Sequence, residues 1–274
     1  MILVGLDLEI GNPFEEEDGS NRKEENTWIT DLAMVVYDTE VGQAPIMTFD
    51  TLVNEGKGVS PQAEEYTGIT PEMVEKYGID PKKAAKRCLD ILNMADYVVA
   101  HNGERADKPW LKHFILRHLE NPFEGFKPPV WVDTMTDIEY PNNCVQRNLT
   151  YLLGFHGLLN CMAHRALPDT LLMMQLLFKY DVDRVVAIAN SPKKRAIAKA
   201  PVDSVQNKRP YFTAGTPEYL EMEIWKKKVR KLGFRWDADG TTTGRKCWYK
   251  DVREIHINEG ITDTFDFEYD LVKL

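Results

Sequence analysis

The chain has 274 residues, 43% hydrophobic and 28% charged, a balance that suits a folded protein of one large domain or a medium domain plus a small one. No apolar run approaches the roughly 20 residues of a membrane helix, and the apolar N-terminus lacks the basic flank of a signal peptide. Cys88, Cys144, Cys161 and Cys247 form no CxxC pair, so neither a zinc site nor a disulfide framework is expected, and a cytoplasmic location is. The net charge of −9 is uneven: residues 1–190 carry −13, residues 191–253 carry +9 and residues 254–274 carry −5. The basic stretch has the sign to meet a polyanion, or is simply solvated.

Along the chain, MILVGLDLE reads as a strand, and the polar, six-acid stretch 11–27 as a loop. Apolar runs at 28–38 and 46–54 predict two more strands in an antiparallel meander. ITPEMVEKYG (69–78) predicts a helix capped by Thr70 with Pro71 in its first turn, and 82–95 a second helix. A short buried strand at 97–102, a helix over 107–120, a strand at 129–134 and helices near 148–155 and 164–180 follow. This alternation predicts an α/β sheet with a mixed edge over residues 1–190. Pro, Ser and Lys without sustained periodicity make 191–210 a basic linker. Residues 211–274 then form a small α+β module: a helix over 217–232, two aromatic strands around a Gly-rich turn, and an acidic tail.

Asp7 and Glu9 lie two apart in the first strand and so share a face. Such a pair either faces water at a sheet edge or needs a positive charge between its members. Asp107 follows the strand at 97–102, where it could cap the next helix. Asp169 lies in an apolar helical stretch, with His164 five residues before it. Together, four carboxylates and a histidine suit a site for hard divalent cations. Two such ions activate water and stabilise the leaving oxygen of a phosphodiester, and an imidazole can take the proton of the attacking water.

These residues resemble the motifs of the DnaQ-like 3′–5′ exonucleases of the DEDDh branch. D-x-E matches Asp7-Leu8-Glu9, H-N followed by Asp matches His101-Asn102 and Asp107, and H-x-A-x-x-D matches His164 to Asp169. VSPQAEEYTGITPEMVE (59–75) is similar to the family's linking segment, and VDTM (132–135) to its fourth-strand D-T. Ile10 stands where relatives often carry Thr, and Ala106 where they often carry an aromatic. The resemblance covers residues 1–190 and implies an RNase H-like mixed five-stranded sheet flanked by helices. It also implies two divalent cations, Mg²⁺ or Mn²⁺, on Asp7, Glu9, Asp107 and Asp169. By the same likeness His164 is the general base, and His101 and Asn102 lie at the nucleic acid. The expected activity is removal of nucleotides from a 3′ end of DNA. The same motifs occur in exoribonucleases, and a catalytically idle binding protein is the remaining alternative.

The C-terminal stretch 225–250 is similar to an "LGxRWD…WY" module of some phage exonucleases. Lys226, Lys227, Lys228, Arg230, Lys231 and Arg235 are its candidate nucleic-acid contacts, with Trp236 and Trp248 expected in its core. The tail 254–274 could pack as a final strand, shield the basic module or recruit a protein partner.

Overall fold

The computed structural model describes residues 1–12, 27–200, 217–260 and 265–274. Most of the acidic loop expected at 11–27, and the second half of the expected linker, lie outside the described residues. The chain divides into two compact units, Met1–Ala189 and Asn190–Leu274.

In the first unit the strands are β1 (Ile2–Ile10), β2 (Ile29–Asp38), β3 (Met47–Leu52), β4 (Tyr97–Ala100) and β5 (Val130–Asp133). They form one sheet in the order β3-β2-β1-β4-β5. β1 to β3 pair antiparallel, whereas β4 pairs parallel with both β1 and β5, as the predicted mixed edge requires. Three helices follow the meander: α1 (Pro61–Thr67), α2 (Pro71–Tyr77) and α3 (Pro81–Leu92). Each opens with a side-chain cap followed by proline, from Ser60, Thr70 and Asp80. α1 went unpredicted, although Ser60-Pro61 starts it and Gly68, at φ 71°, stops it. The other helices are α4 (Asp107–His118), α5 (Leu149–Phe155), α6 (Ala166–Leu177) and α7 (Val182–Asn190), of which α7 was also unpredicted.

Strand alternation divides the interior into two cores. Val4, Leu6 and Leu8 of β1 pack with Ala84, Cys88 and Ile91 of α3 and with Leu111, Phe114 and Ile115 of α4. Leu3 packs on the other face with Met173, Met174, Leu176 and Leu177 of α6 and Leu152 and Leu153 of α5. A fully buried side chain of this size contributes about 1.5–3 kcal/mol. Phe114, Leu3, Leu6, Leu152 and Leu153 are among those essentially inaccessible.

The second unit holds β6 (Lys193–Ala198), α8 (Pro217–Lys231), β7 (Arg235–Asp237), β8 (Cys247–Arg253), α9 (Glu254–Asn258) and β9 (Tyr269–Lys273). Its antiparallel sheet runs β7-β8-β6-β9. Met222, Trp225 and Val229 of α8 pack with Phe234, Trp248, Val252 and Phe265. Two expectations are corrected here, and one alternative for the tail is selected. Residues 193–198 are not linker but an inner strand, because β8 and β9 pair with both of its edges. The tail ends in β9, the final-strand alternative of the three stated for it. Asp266 and Asp270 there pair with Lys228 and Lys199. And of the two tryptophans only Trp248 is buried, at 9% exposure; Trp236 is 49% exposed on the edge strand β7.

Candidate active site

The site begins with Gly5. A Cβ there would stand 2.7 Å from Cγ of Met174 and 2.9 Å from Cγ2 of Thr170, so only glycine lets α6 lie this close to β1. Asp7 and Glu9 follow on the same face of the strand, and Asp169 sits in the first turn of α6. The register of β1 against β2 shifts between Glu9 and Ile10, leaving Thr30 as an extra residue. Glu9 lies opposite Asp31, which is 1% exposed.

Asp31 is a site residue that the sequence motifs do not mark. Its carboxylate accepts from Nε of Arg165 at 2.8 Å and from the Ala166 N–H at 3.2 Å. It thereby ties the start of α6 to β2. An acid in the otherwise apolar run of β2, directly across from Glu9, is the signal that could have found it.

Asp107 comes from the far side of β1. β4 runs parallel to β1, so its C-terminal end delivers the chain to the same end of the sheet. Asp107 is the first residue of α4 and is buried; Ala106 occupies the cap position, so Asp107 is no helix cap. The preceding turn is held by Asp133, whose carboxylate accepts from the N–H of Asn102 at 2.8 Å and of Met135 at 2.9 Å. Asn102 takes the left-handed conformation there, at φ 59°. His101 turns inward, its Nδ1 2.9 Å from Oγ1 of Thr134. Burial lowers its pKa to about 4, keeping the ring neutral. So placed, the His101 ring braces the turn.

His164 also has a left-handed backbone, at φ 62°, and its N–H donates to Oδ2 of Asp169 at 2.9 Å. Asn160 Nδ2 donates to the other oxygen of Asp169. The His164 ring stacks on the half-exposed ring of Tyr66, centroids 3.8 Å apart. Tyr66 belongs to the unpredicted α1, which is why it was missed. Glu9, His164 and Asp169 each present one ligand atom, all within 4.8 Å of one another.

The electrostatics follow from this crowding. Burial raises the Asp7 carboxyl well above its ordinary value, and the charges of Asp107, Glu9, Asp169 and Asp31 add to it. Glu9 is pushed up to about 8 by burial and by Asp169, Asp31 and Asp107, with Arg165 opposing. Burial raises Asp107 to about 7 against hydrogen bonds from its own and the Leu8 backbone. Asp169 is raised by burial, offset by the bonds from His164 and Asn160. Oxygen donors that repel one another so strongly fit hard divalent cations, which would let all four ionise together.

The basic candidates lie elsewhere, on α8 and β7 of the second unit. Lys226 is paired with Glu223 at 2.8 Å and Lys228 with Asp266 at 2.6 Å. Lys227, Arg230, Lys231 and Arg235 are exposed and make no ion pair among the described residues, although the charges of Arg230 and Lys227 add to the Lys226 bond in lowering the Glu223 carboxyl.

The RNase_T family model, described as an exonuclease, matches residues 4–177. No curated protein matches the chain. Among solved structures, the zinc-bound complex of Escherichia coli exonuclease I with single-stranded DNA is 14% identical with a TM-score of 0.56, over 72% of this chain and 48% of that one. A moderately thermophilic exonuclease I from Methylocaldum szegediense is 18% identical with a TM-score of 0.56, over 74% and 49%. Escherichia coli exonuclease I with a dT13 oligonucleotide is 16% identical with a TM-score of 0.52, over 73% and 48%. The chain thus spans about half the length of these structures, and the likeness concerns the fold: an RNase H-like mixed sheet flanked by helices. A family match running from β1 to the end of α6, over a sheet that gathers Asp7, Glu9, Asp107 and Asp169 at one end, identifies the chain as a member of the DnaQ-like exonucleases of the RNase_T family.

Proposed function

We propose that this chain is a metal-dependent 3′–5′ exodeoxyribonuclease acting through residues 1–190. The observation that carries the reading is the cluster of Asp7, Glu9, Asp107 and Asp169, whose charges oppose one another beside His164. Asp7, Glu9, Asp107 and Asp169 would hold two divalent cations, Mg²⁺ or Mn²⁺. Bound there, the ions supply Lewis-acid stabilisation of the charge that builds on the phosphoryl group. His164 takes the proton of the attacking water on a ring nitrogen, and Tyr66 and the Asp169 bond hold that residue in place. The Asn102 turn, braced by His101 and Asp133, faces the terminal nucleotide. DNA is favoured because solved relatives were captured with single-stranded DNA and with dT13. The four free cysteines fit a cytoplasmic location.

The test supplies single-stranded DNA, duplex DNA and RNA of one sequence, labelled at the 5′ or 3′ end, with chelator, Mg²⁺ or Mn²⁺. A ladder shortening from the 3′ end of DNA, absent in chelator and in Asp169→Asn, is the expected result. Degradation of RNA alone moves the assignment to an exoribonuclease. No cleavage with either metal leaves a nucleic-acid binding protein on an idle fold.

A further inference from the structure

Residues 225–236 carry six basic side chains and no acid. Two of the six, Lys226 and Lys228, are engaged with Glu223 and Asp266. Lys227, Arg230 and Lys231 lie three and four residues apart, on the side of α8 away from the buried Met222, Trp225 and Val229. Next to them the edge strand β7 carries Trp236, directly across from Trp248 and so on the same face of the sheet. The two indole rings are 5.7 Å apart, and the Arg230 guanidinium stands 5.2 Å over the Trp248 ring. No strand lies beyond β7 among the described residues. Asp239, in the turn after β7, is the nearest acid along this strand that is exposed, and Thr241 satisfies it. Asp237 is buried and bonded to Thr242 and Thr243.

A half-exposed indole stands here beside a group of exposed cations on one face of α8. It suits a ligand with flat apolar faces on a regularly charged strand. We propose that Trp236 and Arg230 form a binding surface for single-stranded nucleic acid, with a base on the free indole face and phosphates on Arg230, Lys227 and Lys231. The proposal deepens the reading above, since it presupposes that this chain handles nucleic acid. It also moves the anchor away from Lys226 and Lys228, whose charges are already matched.

The experiment measures the Kd of the full chain for labelled dT12 and rU12 by anisotropy, in chelator and across a salt series. Turnover of a dinucleotide with Mn²⁺ is read separately. Stacking of one base predicts a loss of roughly ten- to a hundredfold for Trp236→Ala, while Trp236→Phe, which keeps a ring, stays within about threefold. Arg230→Gln should flatten the slope of log K against log salt by about 0.7, the share of one phosphate on a single strand. Lys228→Ala should leave it unchanged. Losses equal for dT12 and rU12 mean that the surface reads bases and phosphates, and a loss confined to one means that it also reads the sugar or the thymine methyl group; both support it. A Kd unmoved by Trp236→Ala, or moved as far by Lys228→Ala, overturns it. A wild type without turnover that keeps the Trp236-dependent Kd would remove the exonuclease reading and leave the surface standing.

Discussion

Glu9 is partly buried beside Asp169, Asp31 and Asp107, which together with that burial push its pKa up to about 8. In the unfolded chain the same carboxyl ionises near its ordinary value of 4.5. The native state therefore binds the extra proton between these values, and the stability Glu9 contributes to the metal-free protein is present below about 4.5 and lost as pH rises through about 8. The urea midpoint in chelator, wild type against Glu9→Gln, should show the wild type losing ground across this window. Saturating Mn²⁺ should reverse the trend, and a constant difference at all pH values would mean that Glu9 is solvated. At His164 the expectation concerns rate. His164→Ala should lower kcat by roughly 10²–10⁴-fold with nucleic-acid affinity nearly unchanged. Tyr66→Ala should cost less, and Tyr66→Phe should restore it, since the ring and not the hydroxyl stacks on the imidazole. A Tyr66→Ala enzyme with unaltered kcat would make the stack incidental.

Elements position these residues through close approach. α6 reaches β1 only because residue 5 has no side chain, and Asp169 rides on the first turn of that helix. Gly5→Val should destabilise the fold by about 1–3 kcal/mol through overpacking against Met174 and Thr170. It should also weaken Mn²⁺ binding, measured calorimetrically, because Asp169 is carried away from Asp7 and Glu9. Unchanged metal affinity in a destabilised variant would show that α6 yields without moving the site. Most elements of the first unit were legible from local signals: short apolar runs at β1 to β3, and threonine-proline at α2. α1 has an equally clear start and stop but only seven residues, with Ala63 and Thr67 its buried positions, too little apolar face to show helical periodicity.

At the scale of the molecule, charge and chemistry separate. Residues 1–190 are strongly acidic and hold the candidate metal cluster, whereas the basic side chains gather in 191–253. Each unit has its own core. Hydrogen exchange should therefore respond to the two ligands in different places. Mn²⁺ alone should protect β1, the turn before α4 and the start of α6, with residues 217–260 unchanged. An oligonucleotide in chelator should protect α8 and β7 and leave the carboxylate cluster as it was. Protection of the cluster by oligonucleotide without metal would contradict the charge argument, since four carboxylates repel a phosphate unless a cation stands between them.

Local sequence determined β1, the order of the motifs and the meander, because apolar runs and capping residues act over a few positions. Tertiary structure decided what depends on partners far along the chain. Lys193–Ala198 looks like linker until β8 and β9 supply both of its neighbours. His101 gains a partner for its ring in Thr134, 33 residues along the chain. Asp31 reads as an ordinary strand acid until Arg165, 134 residues away, pairs with it opposite Glu9. Trp236 and Trp248 read alike in the sequence. Only the sheet order, with Trp236 on an edge strand and Trp248 one strand further in, leaves the first in solvent and buries the second. Burial and charge pairing are set by whatever the fold brings within a few ångströms, and neighbours in sequence do not encode it.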